Sequence, residues 1–163
     1  MNQWIPMPDD LENNVALQKL REFDPEAVVD AQIFRGEVTL AIRADRLIRV
    51  CEFLRDAPEL TFKFLVDVTA LDHYPEEPRF RTVYHLLSLE TGARLRLKVP
   101  ISGDNPRVDS AVPVWRAANA YEREIYDMFG IHFNGHPELR RILMPDDWEG
   151  YPLRKDYPVE GYR

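Results

Sequence analysis

The sequence predicts an α+β fold: a two-layer sandwich in which helices cover one face of a largely antiparallel or mixed sheet, followed by an extended C-terminal tail. Three observations carry this reading. Apolar and polar residues alternate through Thr61–Thr69 and Arg94–Val99, the period of half-buried strands. Apolar stripes at helical spacing lie before Pro25, after Asp45 and downstream of Asn119. Beyond Pro137, Pro145, Pro152 and Pro158 interrupt any long helix, so that stretch reads as extended chain with short turns.

Taken in order, Leu11, Val15 and Leu20 form the first helical stripe. Val28 to Phe34 and Glu37 to Ile42 flank Arg35-Gly36 and predict a hairpin. Asp45 is placed to cap a helix with Leu47, Val50, Cys51 and Leu54 on one face, ending before Pro58. In the strand over Thr61–Thr69, Phe62, Phe64, Val66 and Val68 share a face; Leu71 to Arg79, with Pro75 and Pro78, is a loop. Phe80 to Leu89 and Arg94 to Val99 are strands joined through Glu90-Thr91-Gly92. The second of these puts Leu95, Leu97 and Val99 on one side and Arg94, Arg96 and Lys98 on the other, a cationic face that is either solvated surface or a docking stripe. The resulting order of helix, two strands, helix, three strands, helix is that of a sheet with helices on one side. It places an α+β domain over residues 1–136 and a docking tail over 137–163.

A chain of 163 residues is long enough for one compact core, and 45% hydrophobic with 30% charged residues is globular composition. The net charge of −7 opposes attraction to nucleic acid or anionic lipid. No apolar run approaches the ~20 residues of a membrane-crossing helix, and Met1 to Asp10 lacks the basic and apolar regions of a signal peptide. The chain is therefore expected on the cytoplasmic side, held at a membrane only through a partner. One cysteine, Cys51, supplies neither a disulfide nor the thiolates of an iron–sulfur cluster, and its place on an apolar stripe predicts a buried, inert thiol.

The final quarter is dense in aromatic, proline and charged residues. Asn119 and Glu122 have the spacing of a capping box, and Gly130 suits the left-handed residue just past a helix. Glu122 shares a helix face with Ile125 and Phe129 while Glu124 points away; Glu122 either caps the helix or pairs with Arg140 or Arg141. Glu122, Glu124 and Asp127 lack a partner of complementary role, which argues against acid–base catalysis. His132 and His136 have the four-residue spacing of helical zinc ligands, but Asn134, Gly135 and Pro137 oppose a helix there, and His136-Pro137 is read as fixing a turn. Trp148, Tyr151 and Tyr157, with Leu143, Met144 and Leu153, either fold back on their own domain or anchor a partner.

From Val114 to Pro158 the sequence closely resembles the C-terminal signature of the 30-kDa-type subunit of respiratory NADH:quinone oxidoreductase (complex I). The resemblance is carried by Tyr121-Glu122-Arg123-Glu124-Ile125-Tyr126-Asp127-Met128-Phe129-Gly130-Ile131, by Gly135 to Gly150 including Arg140-Arg141 and Asp146-Asp147-Trp148-Glu149-Gly150, and by Pro152-Leu153-Arg154-Lys155-Asp156-Tyr157-Pro158. Upstream, only the order and type of elements agree. The resemblance implies a noncatalytic scaffold in the peripheral arm of a proton-translocating complex at the inner membrane. FMN, iron–sulfur clusters and quinone would belong to partner subunits and none to this chain. The partner it implies first is a homologue of the 49-kDa-type subunit, with the B and I subunits of the peripheral arm nearby. The structural and interface positions carried over are Glu122, Arg123, Glu124, Asp127, Phe129, Gly130, Arg140, Arg141, Trp148, Arg154, Lys155, Asp156 and Tyr157. Rival readings are the homologous scaffold of a membrane-bound nickel–iron hydrogenase or other quinone reductase, and a free-standing hydrolase using the acidic helix.

Overall fold

The computed structural model describes residues 11–162. Asn14 opens helix α1 (Val15–Phe23), its side-chain oxygen accepting the Leu17 amide at 3.0 Å. The hairpin β1 (Val28–Phe34) and β2 (Glu37–Ile42) follows, then α2 (Leu47–Asp56) and the strands β3 (Phe64–Asp72), β4 (Phe80–Leu87) and β5 (Arg94–Ile101). A three-residue strand β6 (Arg107–Asp109), helix α3 (Ala118–Phe129) and a second short strand β7 (His132–Asn134) complete the regular elements. The five long strands form one sheet in the order β1-β2-β5-β4-β3, antiparallel except for the parallel pair β2 and β5. This is the predicted α+β architecture with a mixed sheet.

One face of the sheet is apolar. Leu40, Ile42, Tyr84, Leu86, Leu95, Leu97 and Val99 meet Leu17 and Leu20 of α1, Val50, Cys51 and Leu54 of α2, and Ile125 and Met128 of α3 in a single buried cluster. Burying each large aliphatic side chain contributes about 1.5–3 kcal/mol, so this cluster is what sets the sheet's sidedness. Cys51 is fully buried, and burial pushes its thiol far above the ordinary range, which keeps it protonated.

Four local expectations are corrected. In β3 the buried residues are Leu65, Val68, Ala70 and Asp72, while Phe64 and Val66 are exposed. The cause is a shift of register between Leu65 and Asp67: one extra residue turns the alternation over, so a period-2 reading carried through it puts the start of the strand on the wrong face. Asp45 does not cap α2; its carboxylate takes a bidentate bond from Arg43, at 3.0 and 2.8 Å, within the short 3-10 turn before the helix. In α1 Val15 is exposed, and Ala16, Leu17 and Leu20 make the buried stripe. Finally, α3 starts at Ala118, because Ala117 already has helical geometry (φ −59°, ψ −24°); Asn119 is inside the helix and no capping box forms.

The parallel pair β6 and β7 is not foreseeable from sequence, since three-residue strands are too short to show a period. It sets Ser110, at the end of β6, and His136, just past β7, beside α3. The Ser110 amide donates to Asn134 O at 2.9 Å to extend the pair.

Candidate functional site: a clasp on the third helix

Helix α3 ends at Phe129, and Gly130 takes the left-handed conformation (φ +72°) predicted for it. A helix end leaves carbonyls without intrahelical partners. Here the tail supplies donors: the Leu153 amide bonds Met128 O at 3.1 Å and Arg154 Nε bonds Phe129 O at 2.6 Å. A Cβ on residue 130 would lie 2.6 Å from the Tyr151 ring, so glycine is required both for the turn and for the close passage of the tail.

One turn back, Asp127 is the centre of the clasp. Its fully buried carboxylate accepts Arg141 Nη1 at 2.6 Å and the backbone amides of Ile142, Leu143 and Met144 at 3.0, 2.7 and 2.9 Å. Burial pushes its pKa up, yet the Met144 amide, Arg141 and the Leu143 and Ile142 amides outweigh it and hold the carboxyl below the ordinary range. The other arm of Arg141 donates to Trp148 O and Gly150 O, each at 3.0 Å, so one guanidinium ties the helix to two points of the tail. Arg123 donates to Arg140 O and Arg141 O at 3.2 and 3.0 Å.

A second tie fixes the tail to the β3–β4 end of the sheet. Asp72 accepts both arms of Arg79 at 2.9 Å each and the Lys155 amide at 2.8 Å, while Arg79 also grips Asp156 at 3.1 and 2.6 Å. Burial raises the pKa of Asp72, but Arg79 and the Lys155 and Tyr74 amides bring it down to about 2. Tyr157 donates its hydroxyl to Glu149 O at 3.4 Å and packs edge-on against Tyr162.

Glu122 sits on a different side of α3 in a sealed polar pocket. It accepts Ser110 Oγ and the Ala111 amide, both at 2.6 Å. His136 Nδ1 accepts the Glu138 amide at 3.0 Å, which leaves Nε2 as the ring donor toward Asn119 O at 3.1 Å, with Glu122 4.0 Å away. Among the described residues no guanidinium reaches Glu122. Desolvation raises its pKa to about 7 against the lowering effect of Ser110 and Ala111.

Glu122 therefore neither caps the helix nor pairs with Arg140 or Arg141, the two alternatives the sequence left open: Arg141 serves Asp127, and Arg140 pairs with Glu138 at the surface. The tail's turn at 142–144 presents its amides to Asp127 and draws Arg141 there, whereas Glu122 faces Ser110 on the far side. Phe129 is buried edge-on to Phe80; Glu124 is exposed. Arg154 and Lys155 are tied down through Phe129 O and Asp72, and Trp148 stays exposed while its backbone is held by Arg141. Sequence reasoning missed Asp72, Arg79 and Ser110. Arg79 and Asp156 are 77 positions apart, and no local spacing signals such a pair.

The tail runs without helix or strand and doubles back on the domain. Its backbone is tied, yet Leu143 (62%), Leu153 (53%) and Trp148 (40%) remain open to solvent, together with Val159. Asp146, Asp147 and Glu149 are exposed beside Trp148. Among the described residues no group of three or more His, Cys, Asp or Glu is set to hold a metal, and no helix is long and apolar enough to cross a membrane.

Residues 40–163 match the family model described as the respiratory-chain NADH dehydrogenase 30 kDa subunit. The C subunit of NADH-quinone oxidoreductase from Roseiflexus sp. (strain RS-1) is 48% identical over 149 residues, 91% of this chain and 86% of that protein. Its counterpart from Citrifermentans bemidjiense is 48% identical over 150 residues, 92% of each. Among solved structures, the trypsin-resistant fragment (1-134) of Nqo5 superposes with a TM-score of 0.62 at 31% identity, covering 76% of this chain and 99% of that fragment. A chain of the membrane-bound sulfane sulfur reductase, an archaeal respiratory membrane complex, gives 0.72 at 30% identity over 88% of this chain and 84% of that one.

Proposed function

We propose that this chain, which belongs to the respiratory-chain NADH dehydrogenase 30 kDa subunit family, is a noncatalytic scaffold of the peripheral arm of a proton-translocating NADH:quinone oxidoreductase. In this reading it braces the quinone-site subunit of the 49-kDa type, with the B and I subunits as further neighbours, at the cytoplasmic side of the inner membrane. NADH oxidation, electron transfer through FMN and iron–sulfur clusters, and quinone reduction fall to the partner subunits.

One observation supports the scaffold role above the others. The charged residues of the family signature hold the tail's backbone, while Leu143, Trp148, Leu153 and Val159 are turned out and Leu139 and Met144 pack against the core. A fully buried carboxylate that accepts a guanidinium on Oδ1 and three amides on Oδ2, and whose pKa these donors lower, stays ionised, so Asp127 is built to hold shape. An exposed indole and leucines on a backbone that is already ordered form an interface that loses little conformational entropy on binding. The chain divides in this reading into an α+β domain, 1–136, and a docking tail, 137–163; that a relative of the same fold yields a trypsin-resistant fragment ending at its residue 134 supports such a division.

Native purification through a tag on this chain, with identification of the copurifying subunits, tests the assembly. NADH-binding and cluster-bearing subunits are expected in stoichiometric yield. The likeness to a sulfane sulfur reductase chain supplies a second reading, a scaffold in a related membrane complex that lacks the NADH-binding part; recovery of partners without an NADH-binding subunit would favour it. Truncation before Pro145 is expected to leave the α+β domain folded and release it from the complex, and full retention of the truncated chain would remove the docking role of the tail.

A further inference from the structure

The helices and the clasp cover one face of the sheet, and the other is open. Along that face β5 presents Arg94, Arg96 and Lys98, and β4 beside it presents Arg81 and His85. Arg96 is engaged, donating to Glu37 and Thr39 of β2. Arg81, Arg94 and Lys98 have no ion pair or side-chain hydrogen bond among the described residues. Elsewhere Arg21, Arg43, Arg46, Arg55, Arg79 and Arg141 each hold a carboxylate. Arg35, Arg107 and Arg116 also lack a carboxylate partner among the described residues, but this face gathers four cations, Arg81, Arg94, Arg96 and Lys98, against three carboxylates, Asp30, Glu37 and Asp67, a local positive excess in a chain with 28 acidic and 21 basic residues.

The same face is grooved at two places. One depression of about 240 Å³ lies between Arg94, Arg96, His85 and Asp67, and another of about 270 Å³ lies between Arg81, Lys98, Asp30 and Thr39. Glu37 is consumed by Arg96, which leaves Asp30 and Asp67 against Arg81, Arg94 and Lys98; burial and the neighbouring Arg96 lower the pKa of His85, so it adds no charge. From Arg94 to Lys98 along β5 is four residues, a span of about 13 Å at the rise of a strand. The central strands have their main-chain groups paired within the sheet, so whatever lies here is recognised by side chains, and guanidinium groups favour carboxylates.

We propose that this open sheet face is a second interaction surface, separate from the tail, for an extended acidic segment of a partner protein whose carboxylates meet Arg81, Arg94 and Lys98. An extended chain with two acidic residues four positions apart matches the separation of Arg94 and Lys98 on β5. A lipid surface or nucleic acid is disfavoured as occupant because the whole chain carries −7 and would be repelled at longer range. No residue of 137–162 lines either groove, so this surface and the tail can be tested separately.

Amine labelling of Lys98 in the native complex and in the free chain reads the surface directly. Protection of about tenfold or more in the complex is expected, along with zero-length carbodiimide coupling of Lys98 to an Asp or Glu of another chain. The double variant Arg81→Glu, Arg94→Glu, made in the full-length chain with Lys98 kept, should lose that cross-link and release the coupled partner at low salt while its thermal unfolding stays close to that of the unaltered chain. Should the variant unfold, the labelling and coupling of the unaltered complex still decide. Equal labelling of Lys98 in free chain and complex overturns the proposal, as does protection that disappears on delipidation with detergent, which would assign the face to lipid.

Discussion

Glu122 and Asp127 are buried carboxylates on the same helix, both without solvent exposure, and their donors drive them in opposite directions. Asp127 receives a guanidinium and three backbone amides, and its pKa falls. Glu122 receives one hydroxyl and one amide, no cation, and its pKa rises to about 7. Burial alone raises both; the number and charge of the donors decides which carboxylate stays ionised. The clasp around Asp127 is accordingly a permanent electrostatic joint, and the pocket around Glu122 is one whose charge depends on pH near neutrality.

The strongest way to break the comparison is Asp127→Ala. It leaves Arg141 and three amides without their acceptor, and the expected loss is roughly 3–5 kcal/mol, read as a lower denaturant midpoint and as rapid proteolysis within residues 140–155. Loss of stability without loosening of the tail would show that Asp127 does not hold it.

Glu122 should produce the next largest effect and with the opposite pH sign. Its folded pKa of about 7 lies above the ordinary 4.5, so the folded form binds more protons between those values. The stability this contributes is complete below about 4.5, is lost as pH rises through about 7, and amounts to about 3 kcal/mol at most. Glu122→Gln should therefore shrink the difference between urea midpoints at pH 5 and pH 8 relative to the unaltered chain. An unchanged difference would place the titration elsewhere.

Asp72 extends the ionised side of the comparison to the second tie. Its pKa is lowered from 3.8 to about 2, so the stability it contributes is present above the higher value and is lost as pH falls through the lower. Asp72→Asn should cost about 2 kcal/mol at pH 7 and flatten the acid limb of the stability curve between these values. Retention of the full acid limb would point to other carboxylates.

Smaller still is Gly130→Ala, where a left-handed residue and the Tyr151 ring 2.6 Å from the new methyl both resist the change. Backbone strain alone gives about 1–2 kcal/mol, measurable as a lower melting temperature with faster cleavage after Arg154. Glu124→Ala, on the exposed side of the same helix, should stay within about 0.5 kcal/mol and serves as the reference for all four.

Strand and helix order was legible because each long element repeats its period several times: β5 shows Leu95, Leu97 and Val99 inward, and α2 shows Leu47, Val50, Cys51 and Leu54. Where the regularity broke, so did the reading. The register shift in β3 exchanged its faces, and the helical Ala117 moved the start of α3 ahead of Asn119. In the clasp the sequence marked the right stretch of chain but not its pairings. Asp127 and Arg141 are 14 positions apart and Asp72 and Lys155 are 83 apart, so which carboxylate meets which donor depends on where the sheet and helix bring the backbone.

By itself the sequence determined the α+β class, the inward face of β5, the glycine that ends α3 and the family of the chain, because periodicity, φ > 0 chemistry and a contiguous signature are local properties. Only the tertiary structure decided that Arg141 serves Asp127 and not Glu122, that Arg79 joins Asp72 to Asp156, and that Ser110 answers the buried glutamate. Those assignments rest on distances of a few ångströms between groups remote in sequence, and Coulombic and hydrogen-bond energies depend on that separation and on burial, neither of which a linear order of residues contains.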